Sequence, residues 1–411
     1  MHGDMKKIKS PLSDHRGVRD LHKLRTLGKL LKVDDPYFRS ADGVNSVEIE
    51  KEGKKLINFS SYNYLGLAGD PRINEAAKAA IDRYSTSVSA SRLVSGERPI
   101  HQELESAIAN AYGVEDAVSF VSGHATNVSM LGYLFNHRDL IVHDWLAHNS
   151  IMEGIRLSGS KRLPFKHQNW DDLDKILAKH RKKHRNALVI VEGLYSMDGD
   201  VPDLQTVIDI KNRHNAILMV DEAHSFGNLG ATGKGIAEQQ GIDPSEVDIW
   251  MGTLSKALAS CGGYVAGSVE LVDNLRHWCP GFLFSVGMPP PSAAAALKAL
   301  EIADAEPERV ARLQHISQYF LDRATGLGLD TSGAQGFGIV PVMIYDDRQA
   351  VELSNAMVAQ GINTLPMMYP SVPQGTSRLR FFLSADHTEA MVDEALDRLV
   401  ATMKARKIKV A

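Results

Sequence analysis

The stretch VDEAHSFG, Val220 to Gly227, follows the apolar run AILMV and places a carboxylate, Asp221, where a strand would end. Its letters D-E-A-H can mark an ATP-hydrolysing motor, but such a motor also needs a phosphate loop of the form G-x-x-x-x-G-K-[ST] upstream. The Gly-Lys pairs at Gly28, Gly53 and Gly233 are followed by Leu30, Lys55 and Gly235, and none has the earlier glycine at the required spacing. The motor reading loses its phosphate site. Thirty-five residues beyond Asp221, after the apolar DIWMGTL, comes GTLSKALASCGG, with Lys256 alone among small residues. A lysine there can be an imine-forming nucleophile, and an upstream carboxylate can keep a pyridine nitrogen protonated. Pyridoxal phosphate (PLP) makes both demands of a protein. Taken alone, an Asp at a strand end and a Lys in a glycine-rich turn are structural more often than not, so other residues must carry the reading.

The elements that would position them alternate. DAVSFV and DLIVHD read as short strands, and ALVIVEG, AILMVDEA and DIWMGTL as further buried ones. Polar helical stretches, DLDKILAKHRKKH and DLQTVIDIKNRH, lie between several of them. This predicts an α/β domain with a largely parallel sheet over about residues 100 to 270. Ligands of such sheets sit at the carboxyl ends of the strands. GMPPP, Gly287 to Pro291, is a breaker, after which a long helical segment, the strands GIVPVMIY, GINTLPMM and SRLRFFLS, and a final helix HTEAMVDEALDRLVATMKA predict a smaller α+β domain.

Residues 1 to 32 hold nine Lys and Arg against three Asp, with Leu21, Leu24, Leu27 and Leu31 at helical intervals. That is an amphipathic basic arm, either packed over the body with a solvated outer face or docking an acidic or phosphorylated partner. The formal net charge of -4 gives no overall field that would draw the chain onto nucleic acid or anionic lipid. Cys261 and Cys279 fit neither a zinc site nor a disulfide framework, and each is expected to be a small buried apolar residue. No apolar run of about 18 residues occurs, and the basic start is not followed by one, so a cytoplasmic protein without a membrane span is expected.

Seven blocks then appear in order: NYLGLAG, SRLVSGERPIHQELE, HNSIMEG, EGLYSMDGD, VDEAHSFGNLGATGKG, GTLSKALASCGGYVAGS and LRFFLSADHT. In these the chain resembles the α-oxoamine synthases, fold-type I PLP enzymes of the aminotransferase class I/II fold, from about Tyr37 to Met403. The resemblance implies a large PLP-binding domain with a mostly parallel seven-stranded sheet over residues 61–291. It adds a smaller C-terminal α+β domain over 292–411, with 1–60 supplying the arm and a small-domain segment. Lys256 would bear the cofactor and then remove the substrate α-proton. Asp221 would hold the ring nitrogen protonated, and His224 and Ser196 would reach the phenolic oxygen. His148 would stack on the ring and assist the acyl step. The phosphate would meet the amides of Gly123 and His124, the hydroxyl of Thr253, and Ser285 from a neighbouring subunit, which implies a homodimer. Arg380 would take the amino-acid carboxylate, with Asn63 as a weaker candidate. Arg378 lies two residues earlier on a strand and shares its face, so periodicity does not choose between the arginines, while the motif favours Arg380.

The implied reaction is a decarboxylative Claisen-type condensation of an amino acid with an acyl thioester of coenzyme A or a carrier protein, giving an α-aminoketone, thiol and carbon dioxide. A 2-amino-3-ketobutyrate branch keeps its carboxylate. Ser85, Ser87 and Ala90 stand where many relatives have glycine, and His124 where they have an aromatic residue. The form SVSASRLVSGE looks most like synthases that work beside polyketide synthases and draw on carrier proteins. CGGYVAG resembles the palmitoyltransferase and aminolevulinate branches more than the biotin-pathway branch. An aminotransferase or aldolase using the same Asp221 and Lys256 without a thioester, and a silent partner subunit, are the rival readings.

Overall fold

A computed structural model describes residues 11–31 and 33–408. Seven strands form its central sheet: β1 (Asp116–Phe120), β2 (Leu140–Asp144), β3 (Lys161–Phe165), β4 (Ala187–Glu192), β5 (Ile217–Asp221), β6 (Ile249–Thr253) and β7 (Gly263–Gly267). Their order is β1-β7-β6-β5-β4-β2-β3, and only β7 runs against the others. Side chains alternate across the pleat, so Leu140 and Val142 enter one core while Ile141 enters the other. Both faces are covered, which is why β2 and β4 are buried along their whole length and open on the apolar runs LIV and ALVIV.

The sequence leaves β3 and β7 unpredicted. β3 is an edge strand, paired with β2 alone, and an edge tolerates Lys161, Arg162 and Pro164. β7 has glycine at both ends, and Gly263 is there for a close approach: a Cβ on it would lie 2.4 Å from Thr126 Oγ1 and 2.6 Å from Gly123 Cα.

Two three-stranded sheets lie outside the central one. Strands 339–343, 378–382 and 365–367 are antiparallel, with 378–382 in the middle. Strands 48–51 and 54–58 form a hairpin that adds 362–363 as a parallel neighbour, so the first strands of the chain pair with a late one. Helices 308–326, 347–359 and 389–405 flank them.

The basic arm is a helix over Arg16–Leu31, as its periodicity predicts. It is not packed down through Leu21 and Leu24, which stay exposed, and Arg16 and Lys23 share Asp20 at 3.6 and 3.9 Å. Residues 1–10 lie outside the described residues, as do the side chains of Leu27 and Leu31. Among the described residues no helix is long and apolar enough to cross a membrane. Cys279 is buried as expected, but Cys261 is exposed.

Ser85 sits at φ 70°, ψ −179°, a region that side chains strain to enter and glycine enters freely. Ser85→Gly is therefore expected to raise stability by about 1 kcal/mol in chemical denaturation. An unchanged midpoint would show that the loop relaxes without cost. The loop turns away toward residues 285–287 through an Ala90 carbonyl that accepts Gly287 N–H at 3.0 Å.

Candidate active site

Every element that points one way brings its carboxyl end to the same edge of the sheet. β5 delivers Asp221, which is 4% exposed and fixed by two donors: Asn127 Nδ2 at 2.9 Å and Ala223 N–H at 3.0 Å. Asn127 sits in the helix that follows β1, α1 (Gly123–Leu134), and its amide also donates to Ser150 Oγ at 3.0 Å. Ser150 opens the helix after β2, α2 (Asn149–Ser158), whose N-cap is His148. The Ser150 hydroxyl lies 2.7 Å from His148 Nδ1, and the Ser150 N–H donates to the same nitrogen at 3.2 Å. With Nδ1 accepting, a neutral His148 carries its proton on Nε2. The ring is neutral around pH 7, because burial pushes it down, against the pull of Asp221 and with help from Lys256, His124 and Arg380.

The sequence missed Asn127 as a link in this chain. Asn127→Ala leaves Asp221 with a backbone donor only and should lower kcat/KM by about 10²-fold per bound cofactor. Turnover equal to wild type, with cofactor content measured alongside, would remove Asn127 from the site.

β6 delivers Lys256. Burial holds its ammonium down to about 8, opposed by Asp221 and Glu192 and assisted by Arg380. A neutral amine is thus present two pH units or more below the ordinary lysine range of about 10.4. Cofactor-free protein is expected to take up PLP at a rate that climbs with pH and levels off above about 8. A rate still climbing steeply at pH 10 would mean that Lys256 is not depressed. Above the lysine sits Tyr62, with the Lys256 Nζ 5.7 Å from its ring centroid and its edge against Phe382 at 4.8 Å. Asn63, next to it, turns its carbonyl oxygen into its own loop to accept Ala68 N–H at 2.9 Å.

His224 is buried, with Nδ1 2.8 Å from the Tyr64 hydroxyl, which leaves Nε2 for a ligand. Burial, then Lys256, Arg380 and His148, hold it far below the usual imidazole range. Ser196, in the turn after β4, offers its carbonyl to Arg380 Nη1 at 2.9 Å.

The arginines part company here. Arg378 is committed to an ion pair with Asp198 at 2.6 Å and to the Met197 carbonyl at 2.9 Å. Arg380 is 6% exposed, has no carboxylate partner among the described residues, and keeps a buried Nε without any acceptor. A guanidinium desolvated in that way is waiting for an anion.

At the head of α1 the Ser122 hydroxyl takes Ala125 N–H at 3.1 Å and its carbonyl takes Thr126 N–H at 3.0 Å. The amides of Gly123 and His124 remain for an anion at the helix N-terminus. A Cβ on Gly123 would lie 2.8 Å from Thr253 Oγ1, so only glycine lets that hydroxyl border the same cradle. The His124 side chain is exposed. Ser285 lies apart, in an exposed turn where its hydroxyl donates to the Val286 carbonyl at 3.2 Å.

These residues fit PLP: a glycine cradle for its phosphate, a fixed carboxylate for its ring nitrogen, and a depressed lysine for its aldehyde. The class so defined is that of the fold-type I PLP-dependent transferases. Residues 54–399 match the family described as aminotransferase class I and II. The 8-amino-7-oxononanoate synthase of Symbiobacterium thermophilum is 41% identical over 84% of this chain and 88% of its own length. That of Thermosipho melanesiensis is 38% identical over 88% and 92%. A serine palmitoyltransferase structure from Sphingomonas wittichii overlays with a TM-score of 0.92 at 29% identity, over 97% of this chain and 100% of that one. The chain belongs to the α-oxoamine synthase family, whose members use PLP to condense an amino acid with an acyl thioester. Relatives by sequence carry the name 8-amino-7-oxononanoate synthase, and neighbours by fold include both serine palmitoyltransferases and an 8-amino-7-oxononanoate synthase of Francisella tularensis, so the lean away from the latter read from CGGYVAG is not matched by sequence and is not decided by fold.

Proposed function

We propose that this chain joins an amino acid, held by its carboxylate on Arg380, to an acyl group delivered as a thioester, with loss of carbon dioxide. The observation that carries the reading is the buried, unpaired guanidinium of Arg380 beside a lysine held near neutrality. When bound, PLP supplies an electron sink for the charge left by a departing α-proton. Neutral Lys256 takes that proton. Asp221, oriented by Asn127, would keep a proton on the cofactor's ring nitrogen, and His224 Nε2 and Ser196 would hold its phenolic oxygen. His148, with a proton on Nε2, would lie against the bound cofactor and donate to the thioester carbonyl oxygen as negative charge builds there. Gly123, His124 and Thr253 seat the phosphate. Asn63, with its oxygen engaged in its own turn, contributes through loop shape.

The protein works as a homodimer in this reading. Phe284 and Val286 flank Ser285 in the open, and Leu93 and Val94 are exposed on a turn bonded to the same segment, so a patch of large apolar side chains surrounds the hydroxyl assigned to a neighbour's phosphate. The domain division at residues 60 and 291 and a cytoplasmic setting go with it. The acyl donor is a carrier protein. Arg16, Arg19, Lys23, Arg25 and Lys29 against the single Asp20 give the exposed arm helix a net positive field suited to an acidic carrier. Equal turnover with acyl-CoA and acyl carrier protein, unchanged by charge reversal at Lys23, Arg25 and Lys29, would rule the carrier out.

The deciding experiment follows visible absorbance of the holoenzyme through a panel of amino acids and then acyl thioesters. One amino acid should shift the band, and one thioester should then release thiol and carbon dioxide in equal amounts. Amino acids that shift the band while no thioester releases thiol would leave an aminotransferase-like enzyme. A protein that stays colourless with added PLP would be a silent subunit.

A further inference from the structure

His148, assigned to the acyl step, and Arg380, assigned to the amino-acid carboxylate, must act on substrates that meet, yet they arrive from separate parts of the chain, and what fixes their spacing lies behind the site. β2 ends at Asp144, whose side chain is fully buried. Its Oδ1 accepts Leu146 N–H at 2.8 Å and its carbonyl accepts Ala147 N–H at 3.1 Å, a turn that runs directly into His148. After β4 the chain makes a second turn over 195–200, closed by Gly199 N–H on Tyr195 O and Tyr195 N–H on Asp200 O, both at 2.9 Å. This second turn seats both arginines, through the carbonyls of Ser196 and Met197 and the carboxylate of Asp198.

His167, from the loop after β3, lies between the two turns. Its Nδ1 is 2.9 Å from Asp144 Oδ1 and its Nε2 2.8 Å from Asp200 Oδ2. A ring facing a carboxylate on each side donates from both nitrogens and is an imidazolium. The Tyr195 ring meets it edge to face at 4.6 Å. Gln168 repeats the bridge, with its backbone N–H on Asp144 Oδ2 at 3.1 Å and its side-chain amide on Asp200 Oδ2.

We propose that His167 is a positioning residue, a cationic strap whose two N–H groups hold the turn leading to His148 against the turn that seats Arg380, so that the amino acid held on Arg380 lies in register with His148. This rests on the assignment of Arg380 to the amino-acid carboxylate and of His148 to the acyl step. Burial by itself would lower the ring, and the hydrogen bonds and charges of Asp144 and Asp200 reverse that and hold it at about 10. The groups that face it are those two carboxylates, the Tyr195 ring and the Gln168 amide. A raised folded value means that the strap's contribution is complete below the unfolded value of about 6.5 and is lost as pH climbs through about 10. It stays closed across the neutral range.

The test uses His167→Gln and Asp200→Ala holoenzymes, with amino-acid affinity read from the visible band and cofactor orientation from visible circular dichroism, in the absence of any thioester. Each variant is expected to bind the amino acid about tenfold more weakly with altered dichroism and full cofactor content, and the double variant no more weakly than either. Wild-type affinity and dichroism in either folded variant, whatever its melting temperature, overturns the proposal. If His167→Gln does not fold, Asp200→Ala decides alone. Failure of the condensation reading would show separately, as absent thiol release with the amino-acid titration intact.

Discussion

Lys256→Ala is expected to lower turnover by at least about 10⁴-fold, with the substrates still able to bind. The residue is asked to do two things that nothing else at the edge of the sheet can do. It must attack an aldehyde as a free amine, and it must later accept a proton from carbon. Both need the neutral form, and burial holds Lys256 at about 8 for that purpose. His148 and His224, the other bases within the group, are pushed down by burial and by the lysine itself, which makes them weak proton acceptors. The measurement is thiol release under saturating substrates. A parallel borohydride treatment should leave PLP on the wild-type chain through gel filtration and strip it from the variant. Residual turnover above about one hundredth of wild type would place the base elsewhere.

The second large effect separates Arg380 from Arg378. Arg380→Ala should raise the amino-acid KM by roughly 10²- to 10³-fold while the thioester KM stays put, the loss of 2–5 kcal/mol usual when one side of a desolvated charge pair is removed. Arg380→Lys should recover only part, because a point charge cannot offer two parallel donors to a carboxylate. Arg378→Ala has a different signature. It abandons the carboxylate of Asp198 in a largely buried pair, and stability should fall by about 3–5 kcal/mol with little change in amino-acid affinity of the folded fraction. A larger KM effect from Arg378 than from Arg380 would reverse the assignment.

That choice also shows how far the sequence could be read. On a strand the two arginines share a face, and periodicity is blind to which one is free, because the difference lies in Asp198, 180 residues away in the chain. The motif order favours Arg380 where the local pattern cannot choose, and Arg380 is the one whose buried Nε has no acceptor. Strand by strand the same division holds. Continuous apolar runs with both faces buried made β2, β4, β5 and β6 visible, whereas β3 carries two cations and a proline at an edge and β7 is bounded by glycines. Asn127 lies three residues past His124, next to the residues read as phosphate donors, but its partner Asp221 is 94 residues on. His167 had no signal at all, being a histidine in a polar loop whose two aspartates come from the end of β2 and from the turn after β4. Local rules see spacing within an element; the supports of this site are made between elements.

The hairpin at 48–58 completes its sheet with Ile362 and Asn363, and Asn363 Nδ2 donates to Asn58 Oδ1 at 2.7 Å across 305 residues. A chain growing from its amino end therefore exposes this hairpin's open edge until residues 362 and 363 have been made. Contacts of such sequence separation close late, and unpaired strand edges invite pairing with other chains meanwhile. Synthesis, more than the finished fold, is the interval in which this enzyme is vulnerable to aggregation, and nascent chains halted before residue 362 should be the most protease-sensitive at the hairpin.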